Sequence, residues 1–255
     1  MIKNERNDLE NYFYNNKNNR LVSKWFHYFS IYDRYFSKYR NQPVSILEIG
    51  VYHGGSLQMW KDYFGDKVQV YGIDVNPKCK EFEEENITIF TGSQSDREFL
   101  RKIKSQIPPV DIILDDGGHT MKQQRVSFEE LFDHVKEDGI YVCEDTHTSY
   151  WPEFGGGYRR RGTFVEYSKK LIDYLNVWHT NKLSVDAFSR SLYSISFYDS
   201  IIVFEKQPRE KPEYLEIGVP SWIIEKQKTN KSFPEKISDK LKDYKERLFI
   251  KWHIW

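Results

Sequence analysis

Residues 45–56, SILEIGVYHGGS, decide the reading of this chain. The run at 45–51 is apolar almost throughout and reads as a buried strand. Gly50, Gly54 and Gly55 then turn the chain, and a helix is expected over 56–64. Glycines at a strand-to-helix turn let a ligand approach the backbone, and the helix N-terminus offers free N–H groups to an anion. A tight packing turn accounts for them equally well. The segment reads G-x-x-x-G-G rather than the dinucleotide fingerprint G-x-G-x-x-G, which disfavours a nicotinamide dehydrogenase.

Downstream, the same alternation recurs. Strands are expected at 68–75 (VQVYGIDV), 87–92, 110–116 (VDIILDD) and 139–145 (GIYVCED), with helices at 96–106 and 122–135. Continuous apolar runs separated by helices are the pattern of a parallel sheet covered on both faces. Two further strands, 192–198 and 201–205, are separated only by Asp199 and Ser200 and should pair as an antiparallel hairpin. The expectation is an α/β fold, a Rossmann-like doubly wound sheet of about seven strands, mostly parallel, ending in that hairpin. Upstream, Trp25, Phe29, Tyr32 and Phe36 recur at helical spacing within 19–39. A loop over 146–162, a helix over 163–176 and a C-terminal helix striped by Ile237, Leu241, Tyr244 and Leu248 complete the reading. The organisation expected is a helical extension at 1–43, a catalytic domain at 44–206 and a tail with an amphipathic helix at 207–255.

Composition narrows the function classes. The 255 residues carry 38 basic and 38 acidic side chains, so formal net charge is zero, and a dominant nucleic-acid binder would be basic. Seventeen Phe, 18 Tyr and 7 Trp exclude disorder as the main state. Two cysteines, Cys79 and Cys143, make neither a disulfide framework nor a four-cysteine zinc site. No apolar run approaches the roughly 20 residues of a membrane helix. The opening residues MIKNERNDLE are no secretory signal, so a cytoplasmic protein is expected. The aromatic N-terminal helix suits core packing or a homo-oligomer contact.

The chemistry-bearing residues gather at strand ends. Asp74, at the end of the second strand, can accept hydrogen bonds from ribose hydroxyls or cap the turn before Pro77. Ser93 and Gln94 follow the third strand and carry groups able to read an adenine edge. Asp115, Asp116, Glu144 and Asp145 end the fourth and fifth strands. Two carboxylates about 4 Å apart repel by about 4 kcal/mol at an effective dielectric of 20. A divalent cation, guanidinium groups or raised carboxyl pKa values must compensate. Oxygen ligands favour a hard ion such as Mg²⁺; salt bridges to Arg125 or to Arg159–Arg160–Arg161 would serve instead. His119, three residues after Asp116, suits a general base. His53 and His147 fall near the same rim, whereas His134, His179 and His253 read as structural. The loop joining Gly155–Gly156–Gly157 to the three arginines fits either a substrate loop or support for the acidic cluster.

These residues together resemble the class I S-adenosylmethionine-dependent methyltransferases. The segment Glu48-x-Gly50-x-Tyr52-x-Gly54-x-Ser56 is similar to the cofactor loop of catechol O-methyltransferases. That resemblance implies Asp74 on the ribose and Ser93–Gln94 on the adenine, and Asp115 is placed with these cofactor residues. Asp-x-x-base after the fourth strand, here with histidine as base, resembles the macrolide sugar O-methyltransferases. So do Lys24-Trp25-x-His27-Tyr28-Phe29 and the run from Glu144 to Trp151. The resemblance covers about 24–206. It implies S-adenosylmethionine as methyl donor, Mg²⁺ held by Asp116, Glu144 and Asp145, and His119 as catalytic base. The implied acceptor is a sugar hydroxyl on a glycan, a nucleotide sugar or a glycosylated natural product. Some relatives carry a cephalosporin hydroxylase label, so a non-haem iron hydroxylase is the alternative. That chemistry requires two histidines and a carboxylate, for which His119, Asp116 and His147 are the available groups.

Overall fold

A computed structural model describes residues 6–219. β1 (Val44–Ile49) is buried at every position, as a central parallel strand must be. It pairs in parallel with β2 (Val68–Asp74) on one side and β4 (Val110–Asp115) on the other. β3 (Ile87–Thr91) extends the β2 side, and β5 (Val135–Cys143) the β4 side. The full order is β3-β2-β1-β4-β5-β7-β6, the expected doubly wound sheet. The chain winds outward one way from β1 and then returns to wind the other way from β4. The crevice between the carboxyl ends of β1 and β4 is therefore the switch point where such sheets bind ligands.

The hairpin forms as expected, between β6 (Leu192–Phe197) and β7 (Ile202–Lys206), and β7 also pairs antiparallel with β5. Composition explains why the second hairpin strand takes the inner position. Ile202, Val203 and Phe204 are all buried, whereas β6 is only half-buried over most of its length and suits an edge.

Helices cover both faces. On one, α1 (Asp8–Asn15), α2 (Tyr28–Phe36) and α3 (Gly55–Phe64) contribute Leu9, Tyr32, Phe36 and Trp60 to a core under β1 and β2. On the other, α4 (Arg97–Gln106), α5 (Met121–Leu131) and α6 (Phe164–Lys170) surround Phe128, Tyr141 and Phe204. A short α7 (Ile172–Leu175) follows α6, so the helix expected over 163–176 is broken in two. The helix expected over 19–39 is also shorter. Its regular part is α2 with one further 3₁₀ turn, Ser37–Tyr39, and residues 21–25 run irregularly. α1 has no counterpart in the sequence reading; Asn7 and Glu10 cap it reciprocally, with Asn7 Oδ1 accepting from Glu10 N at 2.9 Å.

The chain divides into two compact units. The first comprises residues 1–175 and 186–209, so the described N-terminal helices belong to the same unit as the sheet. The second comprises 176–185 and 210–255, where the described part includes a 3₁₀ turn, Val177–His179. The expected C-terminal amphipathic helix lies outside the described residues. No described helix is long and apolar enough to cross a membrane.

Candidate active site

Backbone pairing carries the strand ends into one line. Gly50 N donates to Ile73 O at 2.8 Å, Asp116 N to Ile49 O at 2.9 Å and Glu144 N to Asp115 O at 2.9 Å. Gly50 is obligatory here: its φ is +97°, and a Cβ would lie 2.0 Å from Asp116 O. A cleft of about 670 Å³ opens along this line, within the range of small-molecule sites. Gly50, Tyr52, Ser56, Asp74, Gln94, Asp116, His119 and Asp145 line it, all singled out from the sequence.

The half of the cleft nearest β2 has the character of a nucleoside site. Asp74 Oδ2 accepts from Val51 N at 2.9 Å and Tyr52 N at 3.0 Å, while Oδ1 accepts from Asn76 N at 2.8 Å. Asp74 thus caps its own turn and still faces the cleft with carboxylate lone pairs to spare. Segment 21–24 forms another wall, pressed against the start of α3 so closely that a Cβ on Gly55 would lie 2.2 Å from Leu21 O.

Four expected cofactor residues do not line the cleft. Glu48 is fully buried behind it, with Oε2 accepting from Ser56 Oγ at 2.9 Å. Gly54 sits at the helix cap, against Phe82. Ser93 bonds Ser95 instead, Oγ to Oγ at 3.0 Å. Asp115 is buried, taking hydrogen bonds from Gln94 Nε2 at 2.8 Å and Tyr141 Oη at 3.1 Å. Gln94 touches the cleft, and both ends of its amide are engaged. Besides Asp115, it donates to Ser127 Oγ at 2.9 Å and accepts from Gly118 N at 2.7 Å. Gln94 thereby braces the Gly117–Gly118 turn that leads to His119.

At the other end of the cleft Asp116, His119 and Asp145 converge. One ligand-capable atom from each lies within 4.8 Å of the others. His119 Nε2 is 3.4 Å from Asp145 Oδ2 and 3.9 Å from Asp116 Oδ1. His119 Nδ1 is buried with no hydrogen-bond partner among the described residues. Both His119 (φ +57°) and Asp145 (φ +51°) hold left-handed backbone that side chains rarely adopt, a strain characteristic of functional turns. Two carboxylates with an imidazole beside them fit a hard divalent cation. Tyr28 Oη donates to Asp145 Oδ1 at 2.6 Å and orients it.

Glu144, expected as a third metal-binding carboxylate, stands apart from this group. Its two carboxylate oxygens each lie 3.1 Å from Lys24 Nζ, and Oε1 accepts from Tyr32 Oη at 2.6 Å. Lys24 also reaches Asp116 Oδ2 at 2.5 Å and Glu48 Oε1 at 3.7 Å, with its side chain 2 % exposed. Burial alone would discharge Lys24, but Asp116, Glu144 and Glu48 outweigh that and keep it protonated. The same burial pushes the three carboxyl groups upward against the pull of Lys24, Glu48 to about 7. Asp115, without a cation beside it, is likewise raised by burial to about 7.

For the acidic cluster the sequence reading offers a divalent cation, arginines or raised carboxyl pKa values as compensation, and burial does raise these carboxyl groups. A lysine supplies part of it. Arg125 pairs with Glu129 instead, and Arg159, Arg160 and Arg161 are exposed, with Arg160 donating to Gly156 O at 3.2 Å. Lys24, Tyr28 and Tyr32 had no assigned role in that reading, although Lys24 and Tyr28 belong to the quoted KWxHYF motif. His147 remains at the rim, its Nδ1 4.0 Å from Asp145 Oδ1. His134 is buried away from the cleft as expected.

Comparison with known proteins agrees with this geometry. A family profile described as "Methyltransferase domain" matches residues 47–146. The chain is 38 % identical over 205 residues to mycinamicin VI 2''-O-methyltransferase of Micromonospora griseorubida, covering 75 % of this chain and 50 % of that protein. It is 36 % identical over 219 residues to demethylmacrocin O-methyltransferase of Streptomyces fradiae, covering 80 % of this chain and 54 % of the relative. The chain thus spans about half the length of these curated relatives. Among solved structures, the MycE methyltransferase of the mycinamycin biosynthetic pathway, in complex with Mg, SAH and mycinamycin VI, superposes with a TM-score of 0.71. The identity is 33 %, covering 91 % of this chain and 58 % of that one. A MycE complex with Mg and SAH gives a TM-score of 0.73 at 32 % identity, covering 92 % and 61 %. By its sheet order, its cleft and these likenesses, the chain belongs to the S-adenosylmethionine-dependent methyltransferases and is related to the macrolide sugar O-methyltransferases.

Proposed function

We propose that this chain transfers a methyl group from S-adenosylmethionine to a sugar hydroxyl of a glycosylated natural product, glycan or nucleotide sugar. Asp116 and Asp145, with Glu144 beside them, would hold Mg²⁺, and His119 is the proton acceptor. The observation that carries the reading is that one cleft joins the glycine turn and Asp74 to the Asp116–His119–Asp145 group. Relatives named as O-methyltransferases of mycinamicin VI, of demethylmacrocin and of a rhamnosyl tetracenomycin support it, and a glycoside of this kind is the first acceptor to test.

When bound, S-adenosylmethionine supplies the methyl group and Mg²⁺ makes a sugar hydroxyl more acidic. The chain's own residues do the rest. Asp74 holds the ribose, fixed by the backbone N–H groups of Val51 and Tyr52. A hard cation prefers the carboxylate oxygens of Asp116 and Asp145, leaving the softer imidazole nitrogen of His119 free for a proton. Asp145 Oδ2, 3.4 Å from His119 Nε2, stabilises the imidazolium once that proton has moved. Holding both reactants in one cleft supplies much of the remaining acceleration through alignment.

The test is transfer of label from [methyl-³H]S-adenosylmethionine to a panel of glycosides. The account expects labelling that EDTA abolishes and Mg²⁺ restores. Labelling indifferent to EDTA would overturn the metal's part. Oxygen consumption with Fe²⁺ in place of methyl transfer would point to hydroxylase chemistry, with His147 as the second imidazole.

A further inference from the structure

Asp145 has an imidazole on either side. His119 Nε2 lies 3.4 Å from its Oδ2, and His147 Nδ1 lies 4.0 Å from its Oδ1. The second imidazole opens a row of rings that the proposed chemistry does not use. The His147 ring centroid is 5.9 Å from that of Trp25, at an interplanar angle of 83°, and 4.6 Å from that of Trp151, at 67°. Phe154 continues the row, 5.9 Å beyond Trp151. Trp60 is fully buried in the core, whereas Trp25 and Trp151 are 55 % and 43 % exposed. Two indoles left open to solvent, meeting one imidazole beside a cleft-lining carboxylate, have the character of a ligand contact. Resting on the function proposed above, we infer that Trp25, His147 and Trp151 form an acceptor subsite that stacks against the pyranose next to the methylated sugar. The acceptor is therefore an uncharged oligosaccharide of at least two rings rather than a free monosaccharide or a nucleotide sugar.

The chemistry of the rings selects this occupant. A pyranose presents a face of C–H bonds edged by hydroxyls, and an indole or imidazole joins an apolar face to a polar edge in the same way. A broad aglycone would call for a continuous apolar floor, but these rings stand steeply on one another and offer separate narrow faces. The diphosphate of a nucleotide sugar would call for guanidinium groups. The arginines of the following loop turn elsewhere: Arg160 donates to Gly156 O at 3.2 Å, and Arg159 lies over the Tyr158 ring at 5.4 Å. The row is also held in register with the reacting group. Thr148, between His147 and Trp151, donates its hydroxyl to His119 O at 2.8 Å, and Trp151 N donates to Thr148 O at 3.0 Å. On the other side Trp25 O accepts from Tyr28 N at 3.0 Å, and the Tyr28 hydroxyl donates to Asp145 Oδ1 at 2.6 Å. Little ordering is left for binding to complete. Trp25 and Trp151 both lie outside the 47–146 methyltransferase match, as suits residues that set acceptor preference rather than methyl transfer.

Saturation-transfer difference NMR on the full chain, loaded with S-adenosylhomocysteine and Mg²⁺, tests this without relying on turnover. The probes are methyl glycosides of matched neutral mono- and disaccharides in the glucose, galactose, mannose and rhamnose series, one UDP-sugar and one glycosylated macrolide. The expected result is a disaccharide bound about tenfold more tightly than its monosaccharide, with saturation concentrated on the C–H protons of one face of its second ring. Trp25→Ala and Trp151→Ala should each bring the disaccharide close to the monosaccharide affinity and remove that pattern. Trp151→Phe, which keeps an aromatic face, should retain most of it. Calorimetric S-adenosylhomocysteine affinity should stay close to wild type in all three variants and so report that they fold; the wild-type comparison decides even if one does not. Equal affinity for mono- and disaccharides, a disaccharide preference that survives both alanine variants, or stronger saturation of the macrolide lactone or the uridine than of any second sugar ring would each overturn the proposal. A cofactor-loaded protein that binds no saccharide in the panel overturns it too and leaves the methyltransferase assignment standing. Failure to bind S-adenosylhomocysteine removes the proposed function itself, and this inference with it.

Discussion

His119 occupies a strained turn braced from both sides. Gln94 holds Gly118 N at 2.7 Å, and the Thr148 hydroxyl donates to His119 O at 2.8 Å. Its ring faces the acidic pair rather than the ribose end of the cleft, so its contribution should fall on the rate and not on cofactor affinity. His119→Ala is expected to lower kcat by about 10²–10⁴-fold. Calorimetric titration should give an S-adenosylhomocysteine affinity close to wild type, and a large loss of affinity would reassign the residue. The buried carboxyl groups make a second residue-scale prediction. Glu48 is raised from 4.5 to about 7 and Asp115 from 3.8 to about 7, both by burial. Between these values the folded chain binds more protons than the unfolded one, so stability must fall as pH rises. Their contribution is complete below about pH 4 and is lost on approaching pH 7, a few kcal/mol at most for each. Urea denaturation from pH 5 to pH 8 should show this decline, with a shallower slope in Glu48→Gln. A stability that rises with pH across that window would contradict the assignment.

Elements deliver these residues through their ends. α5 starts immediately after His119, and Thr120 caps it, with Oγ1 accepting from Gln123 N at 3.3 Å and donating to Gln123 Oε1 at 2.6 Å. Thr120→Ala should cost about 1 kcal/mol of stability, read from the urea midpoint at unchanged m. It should also lower kcat, because the cap anchors the turn that carries His119. The strands were legible because their apolar runs are unbroken and their final residues are acidic, so Asp74, Asp116 and Asp145 reached the cleft as read. The segment before β1 was not. Trp25, Phe29, Tyr32 and Phe36 keep helical spacing, yet residues 21–25 run outside the helix, where Lys24 meets partners at the carboxyl ends of the central strands. Such a partnership joins residues 92 and 120 positions apart, and periodicity carries no record of it. For the same reason the partners of Gln94 escape a local reading, since Asp115 and Ser127 lie 21 and 33 residues on.

Among the described residues, the sheet order places Asp74 and the Asp116–His119–Asp145 group at opposite ends of one cleft over the switch point. The fold could be anticipated from alternation alone, but the contact of Lys24 with Glu48, Asp116 and Glu144 could not, because it joins segments distant in sequence. Removing the metal should therefore leave the fold standing. With Lys24 still neutralising the inner carboxylates, EDTA is expected to abolish turnover while changing the melting temperature little, as differential scanning calorimetry can check. The central claim is that a divalent cation and the cofactor share this cleft, and anomalous diffraction from crystals grown with Mn²⁺ and S-adenosylhomocysteine tests it most directly. The account predicts one manganese peak between Asp116 and Asp145, beside His119, with the cofactor's ribose on Asp74. A peak elsewhere, or a cofactor bound outside the cleft, would contradict it.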